Sequence, residues 1–244
     1  MTPETASVVV IEFGDEQPPR TFDELLPYTT PGRRIRIDPL LHPQLPETFL
    51  SVQDQAEHWA RKLTQERAPR IAAVLAYCSG SAFASALASA AGDDTTSLLL
   101  LDPVTPTREG TQYLFEELVT GMNEGPGRRP VPDIRGLSAT DALYTAGLFL
   151  REVAASSAPE LPDDIIEALT RKQRAWLNYS LSAALVPDAG KEAQHVLLSQ
   201  VSDDWPTRPG TDIHRFPTDT PGLFRSADAG RLLQDLVTRA LGQS

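Results

Sequence analysis

The residues of this chain best suited to chemistry are one cysteine and a few carboxylates, each standing where an apolar run ends. Cys78, the only cysteine among 244 residues, lies in Ala76-Tyr77-Cys78-Ser79-Gly80, directly after the apolar run 71–75. A thiol at the tip of a strand-to-helix turn is exposed, and the helix N-terminus beneath it favours the thiolate, the form that attacks a carbonyl carbon. The usual fate of a free cysteine is to be a small buried apolar residue, and the position at the turn argues against that here. Asp102 closes the aliphatic run 97–101 and precedes Pro103, where a carboxylate either orients a catalytic partner or starts a turn. Asp203 and Asp204 follow a later apolar run and are the second choice for an acid. The histidines His42, His58, His195 and His214 show no metal-ligand spacing, and a lone cysteine excludes an internal disulfide, so no metal and no cofactor is expected.

Such residues need a scaffold, and the hydrophobic pattern supplies one. Strands are predicted over 8–14, 35–41, 71–75, 97–101, 195–201 and 212–216, and the runs at 71–75 and 97–101 are apolar enough to be buried on both faces. Helices fall between them at 22–26, 51–67 and 80–91, with a last one over 227–241. Ser51 stands as N-cap for a face of Val52, Ala56, Trp59, Ala60 and Leu63. From about Arg108 to Lys191 no strand pattern occurs; helices over 113–122, 139–155 and 165–185 are separated by Gly- and Pro-containing stretches near Pro126 and Pro159. The alternation predicts an α/β fold with a mostly parallel sheet, built from residues 1–107 and 192–244, and a helical insertion over 108–191.

Ligands of an open parallel sheet bind beyond the carboxyl ends of its strands, which singles out Gly14-Asp15, Cys78, Asp102 and the stretch 217–222. In chain order, with the helical stretch after Asp102, these residues resemble the thioesterase family of α/β-hydrolases that serves polyketide and nonribosomal peptide synthases. The resemblance runs from Val8 to Leu241. Ala76-Tyr77-Cys78-Ser79-Gly80 stands where that fold has its G-x-S-x-G nucleophile elbow, with alanine for the first glycine and cysteine for serine. The resemblance implies Cys78 as nucleophile, Asp102 as acid, the Ser79 N–H and the Gly14-Asp15 backbone as oxyanion hole, and the helical insertion as a lid over an acyl channel. Two departures stand out. The first loop reads Phe13-Gly14-Asp15-Glu16-Gln17, with two acidic side chains where negative charge would develop. The family's G-D-H pattern corresponds to Thr218-Asp219-Thr220, so Thr220 occupies the position of the catalytic histidine. His214 lies on the preceding strand and reads as structural, while packed or solvated roles fit His42, His58 and His195.

A serine without a base is a poor nucleophile, whereas a cysteine is a few per cent thiolate at pH 7 and is still acylated. Deacylation by water needs a base, while a thiol or an amine needs less help, so the pair Cys78 and Thr220 favours acyl transfer over hydrolysis. The expected function is thioesterase-like. An acyl group held on the phosphopantetheine of an acyl or peptidyl carrier protein, or on coenzyme A, passes through acyl-Cys78, by transfer or hydrolysis, in natural-product biosynthesis. The alternative is a non-catalytic descendant that keeps the fold to bind a carrier domain or a synthase. An ordinary lipase or esterase fits less well, because the nucleophile is cysteine and the first loop lacks the usual glycines. A formal charge of -11 argues against nucleic acid or an anionic membrane as partner. Residues 1–7 carry no basic side chain, and the apolar run 8–11 is too short for a signal peptide or a membrane span, so a cytoplasmic location is expected.

Overall fold

The computed structural model describes residues 6–14, 22–26, 32–120, 122, 129–185, 192–202, 205 and 209–242. Among them, β1 (Ser7–Ile11), β2 (Arg33–Ile37), β3 (Ile71–Tyr77), β4 (Ser97–Leu101), β5 (His195–Leu198) and β6 (Asp212–Arg215) form one sheet. Its order is β2-β1-β3-β4-β5-β6, and every pairing is parallel. From β1 the chain runs outward to β2, then crosses back to β3 and builds in the other direction. The gap between the carboxyl ends of β1 and β3 is therefore the topological switch point, where open sheets of this kind bind ligands.

The two compact units of the chain are Met1–Pro39 with Gln53–Val104 and Asp188–Ser244, and Leu40–Val52 with Thr105–Pro187. In the first unit the central strands are apolar at nearly every position because helices cover both faces of the sheet. On one face, Val8, Val10, Ala73, Leu75, Leu99, Leu101 and Leu197 pack against α1 (Phe22–Leu25), α7 (Thr220–Arg225) and α8 (Ala227–Gly242) through Phe22, Leu223, Phe224, Leu233 and Val237. Each such side chain taken fully out of water contributes roughly 1.5–3 kcal/mol. Of the remaining helices of this unit, α2 (Val52–Gln65) precedes β3, and α3 (Ser81–Ala91) packs on β3 and β4. The small residues Ala84 and Ala88 of α3, with Phe83 and Leu87, are fully covered.

The second unit is helical among its described residues: α4 (Arg108–Thr120), α5 (Ala139–Ser157) and α6 (Asp163–Leu185). Its core joins Phe115 and Val119 of α4, Ala146, Phe149 and Leu150 of α5, and Leu177 and Leu181 of α6, with Phe115 edge-on to Phe149 at 5.9 Å between ring centroids. Ser138 caps α5 by accepting the Asp141 N–H. The segment Leu40–Val52 belongs to this unit because Asn178 of α6, fully buried, donates to the Leu45 and Thr48 carbonyls and accepts the Leu50 N–H.

Several ends differ from the sequence-based expectation. The strand expected to continue to Leu41 stops at Ile37, because Pro39 has no N–H for the ladder and opens a 3-10 turn, Pro39–Leu41. The strand expected over 195–201 stops at Leu198, since the next two N–H groups are diverted to the Asp102 side chain and the Thr218 carbonyl. The stretch 217–222, expected as a loop, contains the start of α7, capped by Asp219, whose Oδ1 accepts the Gly222 N–H at 2.7 Å. The first helix of the insertion begins at Arg108 instead of 113, where Thr107 accepts the Gly110 N–H. The strand from Val8 ends at Ile11, and Gly14 turns away with φ of 69°.

Candidate functional site

Cys78 ends β3 in a strained turn. Tyr77 is still extended, with φ -125° and ψ 143°, and Cys78 then takes φ of 52°, a left-handed conformation that costs a non-glycine residue roughly 1–2 kcal/mol. One 3-10 turn, Cys78–Gly80, leads into α3. A Cβ at Gly80 would meet Ile11 and the Phe13 ring at 3.4 Å, the edge of ordinary van der Waals contact, so the helix starts close against the end of β1. The Cys78 carbonyl accepts N–H groups from Ser81 and from Val104, the latter at 3.2 Å, and the Ser81 hydroxyl donates to the Val104 carbonyl. The turn after β3 is thus tied to the loop after β4. Strain of this kind persists only where the surroundings enforce it, and it holds the half-exposed Cys78 in place at the switch point.

Asp102 makes the equivalent turn on the next strand. Tyr77 pairs with Leu101, so Cys78 and Asp102 leave β3 and β4 side by side, and Asp102 is also left-handed, with φ of 38°. Its side chain is almost fully buried, at 3 % exposure. Its N–H donates to the Leu197 carbonyl, and its Oδ1 accepts the Ser199 N–H at 2.6 Å. Among the described residues its Oδ2 has no hydrogen-bond partner. The Ser199 hydroxyl lies 3.3 Å from the Thr220 hydroxyl, and Gln200 N–H donates to the Thr218 carbonyl at 2.8 Å. The Phe224 ring of α7 stands edge-on to Tyr77 at 5.0 Å, holding this helix against the end of β3. Cys78, Asp102, Ser199 and Thr220 therefore lie at the carboxyl edge of neighbouring strands, and Asp102 reaches Thr220 through Ser199.

The first loop is held by acidic side chains. Gly14 N–H donates to Asp38 Oδ2 at 2.8 Å and reaches an oxyanion only by leaving that bond. Glu12 Oε1 accepts the Phe22 N–H at 2.7 Å, and its Oε2 pairs with Arg36 at 2.6 Å. Burial pushes the Glu12 carboxyl above the usual carboxylate range, against the opposing pull of the Phe22 N–H and the Arg36 guanidinium. Asp15, Glu16, Asp203 and Asp204 lie outside the described residues.

The strand histidines, His195 and His214, lie away from Cys78. His214 is paired with Leu197, which is level with Leu101, and β6 is three strands from β3, about 14 Å by strand spacing. Its ring lies 5.7 Å from that of His195. Burial lowers the His195 pKa, with Asp212 opposing and His214 and Arg239 adding to the shift. His42 is buried and accepts the Gln44 N–H, while His58 sits on α2 edge-on to Trp59. Among the described residues no group of three or more His, Cys, Asp or Glu side chains could hold a metal ion, and no helix is long and apolar enough to cross a membrane.

Two residues of this edge, Ser199 and Asp38, were not foreseen from the sequence. Each is the first residue past a carboxyl end, of β5 at Leu198 and of β2 at Ile37, and the hydrophobic pattern runs on past both ends.

No protein-family model matches this sequence, and no curated protein matches it. Solved structures do. The acetyl esterase MekB is 11% identical, with 99% of this chain and 88% of that one covered, at a TM-score of 0.55. An alpha/beta hydrolase family protein from Desulfitobacterium hafniense is 17% identical over 96% of this chain and 97% of its own, at 0.50. The NocB thioesterase domain, solved as a covalent complex with a fluorophosphonate nocardicin G analog, is 18% identical over 98% and 95%, at 0.48. With its parallel six-stranded sheet, the strained turn after β3 and the likeness to MekB, the chain has the α/β-hydrolase fold.

Proposed function

We propose that this protein takes an acyl group from a thioester, on a carrier-protein phosphopantetheine or on coenzyme A, onto Cys78 and passes it to an acceptor other than water. Natural-product assembly is the setting this chemistry fits. The observation that carries the reading is Cys78 at φ of 52° on the strained turn after β3, with a threonine, Thr220, linked through Ser199 to the neighbouring Asp102. The Cys78 sulfur attacks the thioester carbonyl, the oxyanion is stabilised by the Ser79 N–H and the first-loop backbone at Gly14-Asp15, and the carrier thiolate leaves. Acyl-Cys78 remains, with no imidazole at position 220 to activate water.

The commitment of the Gly14 N–H to Asp38 favours a second reading, a non-catalytic carrier-binding protein. Intact-protein mass spectrometry after incubation with acyl-coenzyme A and acyl-carrier thioesters separates the two. An added acyl mass is expected on the wild type and none on Cys78→Ser, since a hydroxyl without a base does not substitute for a thiol. Thr220→His is expected to shorten the lifetime of acyl-Cys78 in water by roughly tenfold or more. A wild type that never gains an acyl mass leaves only the binding reading.

A further inference from the structure

Asp102 has an unused oxygen in an expensive place. Its side chain is 3 % exposed, Oδ1 is satisfied by the Ser199 N–H at 2.6 Å, and Oδ2 has no partner among the described residues. A buried carboxyl oxygen without a donor costs about 1–3 kcal/mol, more when charged, so such groups mark places where a donor is missing. Among the described residues none nearby supplies one. Thr220 spends its short reach on Ser199 Oγ at 3.3 Å, and Ser199 N–H is already on Oδ1. The residue is moreover left-handed, at φ of 38°, a conformation uncommon outside glycine that aspartate adopts more readily than most side chains. Its neighbour across the strand pair is Cys78, about 5 Å away at the level of the paired backbones, and the Val104 N–H to Cys78 carbonyl bond keeps the two turns together.

We propose that Asp102 Oδ2 receives the N–H of an amine, and that the acceptor of the acyl group is therefore a primary amine. This rests on the acyl-Cys78 reading and names its acceptor. The chemistry selects an amine over water. Water needs its proton removed as it adds, which asks more of a carboxylate, whereas an amine attacks while neutral and gives up its proton only after addition, when the nitrogen is cationic and acidic. An amine nitrogen held by charge-assisted hydrogen bonding to Oδ2 lies beside the thioester carbon. The C–N bond forms as the C–S bond to Cys78 breaks, one N–H proton passes to Asp102, and that proton returns to the Cys78 thiolate. The products are an amide and the free thiol, with no oxidant or co-reactant required. Asp102 is then a catalytic residue toward the acceptor.

The test loads Cys78 with a hexanoyl group from hexanoyl-coenzyme A and follows its discharge by butylamine, by N-acetylcysteamine and by water in wild type and Asp102→Asn. Loss of a positioned base should slow discharge by butylamine roughly 100-fold and discharge by the thiol far less. Equal effects on both acceptors, or none, overturn the proposal. Occupancy is read without any loading. Butylammonium chloride should protect wild-type Cys78 from iodoacetamide relative to sodium chloride at the same ionic strength, and should not protect Asp102→Asn. Absent or unaltered protection overturns the proposal. Protection that depends on Asp102 in a protein that no thioester acylates leaves the amine site standing and removes the acyl-Cys78 reading instead. Should Asp102→Asn fail to fold, Thr220→His serves, because an imidazole on Oδ2 should remove the protection; protection undiminished in that variant counts against the proposal.

Discussion

Cys78 and Asp102 both occupy backbone conformations that favour glycine, on adjacent strands and at the same level. Each left-handed residue opposes folding, so the contacts that hold the two turns, the Val104 N–H on the Cys78 carbonyl and the Ser199 N–H on Asp102, must outweigh that cost. At the same scale, His195 makes a pH dependence that can be isolated. Burial lowers its pKa from the ordinary 6.5, so below that value the unfolded chain binds more protons than the folded one, and stability falls as pH drops through about 6.5 toward the lower folded value. Thermal melts should therefore show a lower Tm at pH 5.5 than at 7.5, and His195→Gln should reduce that difference. A variant with an undiminished difference shows that another group titrates. The residues of the site were legible to different degrees. Cys78 and Asp102 stood out because each ends an aliphatic run, whereas Ser199 is an ordinary serine until the Asp102 side chain reaches its N–H from 97 positions away.

The short elements depend on single side chains. Glu12 holds the start of α1 by accepting the Phe22 N–H, yet burial disfavours its charge. With a raised pKa the folded state binds more protons than the unfolded chain just above pH 4.5, so this group makes stability decline as pH rises through that window. Glu12→Gln keeps an acceptor for Phe22 and removes the buried charge, and chemical denaturation at pH 7 should find it equal to the wild type or more stable. Glu12→Ala orphans the N–H and should cost roughly 1–3 kcal/mol. Helix α7 rests likewise on Asp219, whose replacement by alanine should cost about 1 kcal/mol and loosen the segment that carries Thr220, seen as faster hydrogen exchange at Gly222. Element types were readable because period and length differ between strand and helix, as at Ser97–Leu101, whose bounds the sequence predicts unchanged. The ends were readable only where a local stop signal exists. Pro39 is such a signal, standing within the apolar stretch that follows β2; the end of β5 has none, being set by Thr218 and Asp102.

At the scale of the molecule, the helical unit includes a segment that precedes it in the chain by more than fifty positions. Leu40–Val52 joins α4, α5 and α6 because one buried amide, Asn178, satisfies three backbone groups of that segment. Asn178→Ala leaves the Leu45 and Thr48 carbonyls and the Leu50 N–H unpaired, and should cost roughly 2–4 kcal/mol, read by denaturant unfolding. Hydrogen exchange should show the loss concentrated in residues 40–52 and in α6; a uniform loss over the sheet would mean that the segment is not held by this side chain. The sequence by itself determined the parallel sheet, its flanking helices and the turn at Cys78. Those follow from hydrophobic period and from glycine and proline placement, which are local properties. The tertiary structure decided the rest: the left-handed φ at Asp102, its unpartnered oxygen, its link through Ser199 to Thr220, and the Asp38 carboxylate on Gly14. Each of these joins residues far apart in the chain, and polar contacts across that separation depend on strand order and register, which no local pattern encodes.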